Sequence, residues 1–202
     1  MILMDKYIFH KRKALDLRTC QHIIHTFLRS DEQWNKNLQY YAIYPKLTDV
    51  TFSFLKPILR KYMDEYTEKH KFLSSKYNKN PYYSSWDINE NFNIQKYDPG
   101  GSYALGEHIE HGKADSNSRR ILAWMIYLND IKKDGGTCWP QQNFTTRPRA
   151  GDLYIWPAGW THSHYGIPAP NETKYIITGW CSWVNREGET WEEYAKRKGK
   201  EE

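Results

Sequence analysis

Two short stretches hold four of the eight histidines: His108-Ile109-Glu110-His111 and His162-Ser163-His164. In an extended chain, positions i and i+2 point to one face, so His108 and Glu110 can reach one ion together. A third ligand must then come from farther along the chain, and His164 is the first candidate. Two imidazoles and one carboxylate on one face of an octahedron leave three positions open. That donor set suits a non-haem iron(II) ion that binds a co-substrate and dioxygen. His-x-Glu alone also describes an ordinary surface pair, so the pair gains meaning only from its context.

The context is spacing. His108 and His164 stand 56 residues apart, the span of a barrel's middle strands, and ten residues beyond His164 comes Lys174. Lys174 opens an apolar run, and a buried ammonium there would suit the distal carboxylate of 2-oxoglutarate. A surface lysine is the other reading. Asp115 rivals Glu110 as the carboxylate. His162 rivals His164, because it lies two residues earlier on the same face of an extended strand. His111 reads as a solvated loop histidine. Two other functions compete. A zinc hydrolase could use His108, His111 and His162, but Glu107-His108-Ile109-Glu110-His111 lacks the HExxH order that places two ligands and a base on one helix. A non-enzymatic binding protein could hold sugar or peptide on its tryptophans without a metal.

The elements that must position these residues are short strands. Phe92, Ile94 and Lys96 alternate with polar or small neighbours, and Asp98-Pro99-Gly100-Gly101 ends that strand. Ile121 to Leu128 is a short apolar run, as expected of a strand buried on both faces. Asp134-Gly135-Gly136 and Ala150-Gly151-Asp152 are turns, the second followed by Leu153-Tyr154-Ile155-Trp156. Lys174 to Trp183 reads as a last long strand, rich in Ile, Thr, Tyr and Trp. About seven strands between residues 86 and 184, separated by turns, suggest a sandwich or jelly roll. Ahead of them, residues 16–29 have helical periodicity, with Leu17, Ile24, Phe27 and Leu28. Residues 48–71 do too, with Phe54, Ile58, Tyr62 and Tyr66, and Pro57 either kinks that helix or marks its start. Residues 73–85 read as loop. We therefore expect one domain over 1–202: a helical N-terminal layer (1–85), a β core (86–184) and a charged tail (185–202), helical around Trp191 and Tyr194.

Composition narrows the class. Aromatic residues make up 16% of the chain, and seven of the nine tryptophans lie from Trp124 to Trp191, so large rings fill much of the second half. Trp139, Trp156, Trp160 and Trp180 are core candidates that could also line a dry cavity. The formal charge of +5 is mild. Basic residues cluster only at Lys11-Arg12-Lys13 and after Tyr194, which argues against a nucleic-acid partner. Three cysteines, Cys20, Cys138 and Cys181, with no CxxC pair, fit a reducing, cytoplasmic setting. Neither a signal-peptide run at Met1–Lys6 nor a membrane span of about 20 apolar residues is evident.

Several ordered pieces resemble the prolyl 4-hydroxylase-like family of iron(II)- and 2-oxoglutarate-dependent dioxygenases, in its short bacterial and phage form. Tyr97-Asp98-Pro99-Gly100 resembles the Tyr-x-x-Gly element ahead of the first ligand. His108-Ile109-Glu110 stands where the family has His-x-Asp. Arg120 with Tyr127-Leu128-Asn129, the hairpin Gly135-Gly136-Thr137-Cys138-Trp139-Pro140, and the turn Pro148-Arg149-Ala150-Gly151-Asp152 follow in order. His164-Tyr165-Gly166, Pro168, Lys174-Tyr175 and Trp180 complete the pattern. The resemblance covers roughly residues 86–184. It implies a double-stranded β-helix, with iron held by His108, Glu110 and His164. It further implies Lys174 paired with the C5 carboxylate of 2-oxoglutarate, and Tyr97 and Tyr127 in hydrogen-bonding reach of that co-substrate. Ascorbate enters as a candidate reductant. The implied reaction hydroxylates a C–H bond and releases succinate and CO2. A peptide or protein side chain, proline foremost, is the expected substrate, with a free amino acid or a nucleobase as alternatives. Glu110 departs from the family's Asp by one methylene, so ligation there requires a shifted geometry.

Overall fold

The computed structural model describes residues 7–31, 34–35, 40–71, 86–103, 106–114, 117–183 and 196. The expected loop at 73–85, the tail with Trp191 and Tyr194, and Asp115 lie outside the described residues, apart from Lys196 in the tail.

Eleven strands and two helices are described. In chain order they are β1 (Phe9–Lys11), α1 (Leu17–Leu28), β2 (Trp34–Asn35), β3 (Tyr40–Ile43), α2 (Leu55–Lys69), β4 (Trp86–Ile88), β5 (Asn93–Tyr97) and β6 (Arg120–Tyr127). Then follow β7 (Thr137–Trp139), β8 (Phe144–Thr145), β9 (Leu153–Pro157), β10 (Tyr165–Gly166) and β11 (Lys174–Trp183). The main sheet has eight strands in the order β1-β9-β6-β11-β5-β3-β2, with β4 also paired to β11. A small sheet, β10-β7-β8, closes over its inner face. This is a double-stranded β-helix, the jelly roll.

Alternation along the central strands divides the molecule into two cores. On the outer face, Ile94, Leu122, Trp124, Ile126, Leu153, Ile155, Ile177 and Cys181 pack against the helices through Cys20, Ile23, Phe27, Leu55, Leu59 and Met63. Each fully buried aliphatic side chain there contributes roughly 1.5–3 kcal/mol. The inner face carries Tyr97, Ala123, Met125, Tyr127, Tyr154, Trp156 and Ile176, and packs against Trp139 of the small sheet. The helices start where local chemistry directs. Asp16 caps α1 by accepting the Thr19 N–H at 2.7 Å. Pro57 falls in the first turn of α2, where its missing N–H would find no helical partner anyway.

The N-terminal segment is more than the expected helical layer. β1 pairs with β9 and β3 pairs with β5, so residues before 86 extend the core sheet at both edges. Strands of three and four residues are too short to show a period in sequence. Among the described residues, no helix is long and apolar enough to cross a membrane.

Candidate metal centre and its cavity

His108 and His164 meet through an isolated antiparallel bridge. Each backbone N–H donates to the other's carbonyl at 2.9 Å. Glu110 is anchored beside them, its N–H donating to Ala158 O at 3.1 Å. Both imidazoles are oriented by backbone acceptors. His108 Nδ1 lies 2.8 Å from Gly106 O, and His164 Nδ1 lies 3.0 Å from His162 O. A carbonyl can only accept, so each Nδ1 carries a proton, and the neutral tautomer this selects would offer Nε2 to an ion. Glu110 Oε1 faces both, 3.7 Å from His108 Nε2 and 3.5 Å from His164 Nε2.

Among the described residues, these three are the one group of His, Cys, Asp and Glu arranged to hold an ion, with ligand atoms all within 4.8 Å of one another. Donors at right angles round an ion at about 2.1 Å stand about 3 Å apart, so a small contraction completes the site. The electrostatics agree. Burial opposes the charged form of His108, but Glu110 outweighs it and pushes that pKa up. Burial likewise opposes the Glu110 carboxylate, but the two imidazoles that face it hold its pKa well below the usual range. A divalent cation can take the place of the protons those rings would otherwise share.

The other oxygen of Glu110 is also engaged. Oε2 accepts the Trp180 indole N–H at 2.8 Å and an Arg120 Nη1–H at 3.4 Å. The Arg120 guanidinium lies 3.5 Å from the centre of the Trp180 ring. Arg120 reaches this face because of a β-bulge. β6 and β11 pair Cys181 with Leu122 and then Ser182 with Arg120, skipping Ile121.

The triad opens into a cavity lined by Gln95, Tyr97, Tyr127, Trp156, Lys174 and Trp180, among others. Lys174 is 4% exposed. Its ammonium donates to Ile167 O at 3.2 Å and lies 4.7 Å from the centre of the Tyr97 ring. It has no carboxylate partner among the described residues, and burial pushes its pKa down to about 8. An unpaired ammonium buried in this cavity is a receptor for an anion. Tyr127 OH sits between Thr137 Oγ1 at 3.0 Å and Thr146 Oγ1 at 2.6 Å. Tyr97 OH donates to Gln95 Oε1 at 2.8 Å, which leaves its oxygen able to accept. The buried Trp156 N–H has no partner among the described residues. A metal ion and an oxo-dicarboxylate therefore fit the residues present.

The rival histidines are engaged elsewhere, and Asp115 lies outside the described residues. His162 is buried in the 3₁₀ turn Trp160–His162, with Nδ1 2.9 Å from Thr161 Oγ1. His111 Nδ1 turns to Arg120 O at 3.1 Å. Trp156 and Trp180 line the cavity, Trp139 is fully buried behind His164, and Trp160 is 75% exposed. Sequence reasoning did not single out Gln95 or Asn93. Their signal was the polar half of the β5 alternation, which faces the cavity.

Residues 92–182 match the model of the 2OG-Fe(II) oxygenase superfamily. Prolyl 4-hydroxylase subunit alpha-1 of Gallus gallus is 24% identical over 106 residues, which is 45% of this chain and 20% of that protein. The match thus spans about a fifth of that relative's length. Solved structures share the fold. The viral collagen prolyl hydroxylase vCPH of Paramecium Bursaria Chlorella virus-1, in its 2OG complex, superposes with a TM-score of 0.68 at 16% identity, covering 92% of this chain and 100% of that one. A prolyl hydroxylase from Trichoplax adhaerens, in complex with a hypoxia inducible factor oxygen degradation domain peptide fragment, gives 0.63 at 16% identity, covering 89% and 85%. Residues 92–182, the part of the jelly roll that gathers two histidines, a glutamate and a buried lysine at one cavity, are thus similar to the 2OG-Fe(II) oxygenase superfamily, and the fold is that of solved prolyl hydroxylases.

Proposed function

We propose that this protein is an iron(II)- and 2-oxoglutarate-dependent dioxygenase that hydroxylates a C–H bond of a peptide or protein side chain, with proline the first candidate. The observation that carries this reading is the opening of the His108-Glu110-His164 cluster and the unpaired Lys174 ammonium into one cavity. In this reading His108, Glu110 and His164 hold iron(II). Lys174 receives the distal carboxylate of 2-oxoglutarate, and Tyr97 and Tyr127 hydrogen-bond it. When bound, the pair supplies the oxidising power: decarboxylation to succinate and CO2 is coupled to transfer of one oxygen atom of dioxygen into the substrate C–H bond. The chain itself fixes ligand geometry, neutralises the co-substrate and excludes water with Met125, Trp156 and Ile176.

A peptide substrate is supported by the prolyl hydroxylase likeness, including a neighbour solved with a peptide fragment. Charge points the same way. Between Trp86 and Trp183 the basic residues are few and dispersed, whereas strand binding neutralises several phosphates with clustered Lys and Arg. Ascorbate is the candidate reductant. Cys20, Cys138 and Cys181 are all free thiols, which supports a cytoplasmic setting. We take the whole chain as one domain, with the catalytic core in residues 86–184.

The test is succinate release with proline-rich peptides against single-stranded oligonucleotides, each at low and moderate salt. Turnover with peptides is expected. Salt-sensitive turnover with oligonucleotides, and none with peptides or amino acids, would overturn the substrate class.

A further inference from the structure

Glu110 is held at both carboxylate oxygens, and the two are held differently. Oε1 faces the histidines at 3.5 and 3.7 Å. Oε2 is turned away by the Trp180 indole N–H at 2.8 Å and by Arg120 at 3.4 Å. Arg120 is itself fixed. Its Nη1 also donates to Glu110 O at 3.3 Å, and its guanidinium rests on the Trp180 ring at 3.5 Å. The β-bulge at the start of β6 is what brings it there.

Resting on the metal role proposed for Glu110, we infer that Arg120 and Trp180 are positioning residues that lock Glu110 into offering one oxygen to the metal, in a clamp built for glutamate. A carboxylate free to swing can bind through both oxygens. That would occupy a fourth position and leave two open, whereas a two-toothed co-substrate and dioxygen together need three. Oxygen Oε2, bonded to the indole and the guanidinium, is withheld from the ion. Aspartate at this position is shorter by one methylene, about 1.5 Å. It can present an oxygen toward the histidines or reach Trp180 and Arg120, but not both. The one-methylene departure at position 110 and the Arg120–Trp180 pair are then parts of one device.

The test is a cobalt(II) titration of the full chain without co-substrate, followed by the visible d–d absorption, with circular dichroism to check each fold. Trp180→Phe keeps a ring and loses the donor, so cobalt affinity should fall about 10- to 100-fold. Glu110→Asp should fall by a similar factor. The double variant should bind no more weakly than Glu110→Asp, because the shorter carboxylate has already left the clamp. Arg120→Gln, which removes the longer contact, should weaken binding several-fold in the wild-type chain and not at all beside Glu110→Asp. A purely structural role would instead weaken binding in both backgrounds. Wild-type affinity in Trp180→Phe and Arg120→Gln, or losses that multiply in the double variants, would overturn the clamp while the metal site stands. No cobalt binding by the wild type, or undiminished binding by Glu110→Ala, would overturn the metal reading itself and the clamp with it.

Discussion

His108 and His164 exchange both backbone hydrogen bonds at 2.9 Å, and this one bridge aims both imidazoles at the same point. Directly opposed residues of an antiparallel pair project their side chains to one face, and here the ring centroids lie 4.6 Å apart. A one-residue slip would turn one ring away. The bridge is isolated, so its register depends on neighbouring contacts. The Glu110 and His111 N–H groups both donate to Ala158 O, and the Ser163 hydroxyl donates to Glu107 at 2.6 Å.

Lys174 should govern the co-substrate and not the metal. Lys174→Ala would leave a buried carboxylate unpaired, a loss of roughly 3–5 kcal/mol by analogy with broken buried pairs. The 2-oxoglutarate requirement should rise by about two orders of magnitude or more, while cobalt(II) binding persists. An unchanged requirement would show that another cation receives the carboxylate.

The same lysine should set a pH dependence. Its folded pKa is depressed to about 8 from an ordinary 10.5, because burial disfavours the charge. Between those values the unfolded chain holds a proton that the folded, ligand-free chain lacks. Stability of the ligand-free protein should therefore rise with pH across that window. Co-substrate affinity should move the opposite way. A bound carboxylate favours the ammonium, so affinity is full below about 8 and falls as pH rises through it. Anaerobic 2-oxoglutarate titrations across this range check the point. An affinity that stays flat to pH 10.5 would contradict it.

Gly179 should be intolerant of a side chain. It pairs with Trp124 across β6 and β11, and a Cβ there would stand 2.5 Å from Trp124 Cζ2. The indole is fully buried and backed by Phe92, with ring centroids 6.3 Å apart. Gly179→Ala must displace it, at roughly 1–3 kcal/mol. The urea midpoint should drop with an unchanged slope. An equal or higher midpoint would show that the ring has room to move.

The long central strands were legible because their patterns are long. Ile121 to Leu128 reads as doubly buried, and the structure places β6 at Arg120–Tyr127. Lys174 to Trp183 is β11, end to end. β1 and β3 were hidden by brevity. The candidate triad was legible from residue type and spacing, but period two puts His162 and His164 on one face. The structure separates them by curling Trp160–His162 into a 3₁₀ turn. Arg120 was noticed as a piece of the family pattern, but its reach to Glu110 was hidden for a related reason. Alternation back from Tyr127 assigns it to the outer face with Trp124 and Ile126, and a bulge that sequence does not announce turns it inward. Trp180 looked like core because its N–H partner, Glu110, lies 70 residues away.

The most direct test of the whole account is the weak visible absorption band of the iron(II)–2-oxoglutarate pair, recorded without oxygen for the wild type and for His108→Ala, Glu110→Ala, His164→Ala and His162→Ala. The wild type should show the band, the first three variants should lose it, and His162→Ala should keep it, since His162 is turned to Thr161 outside the cluster. Loss of the band in His162→Ala with its survival in His164→Ala would contradict the ligand set proposed here.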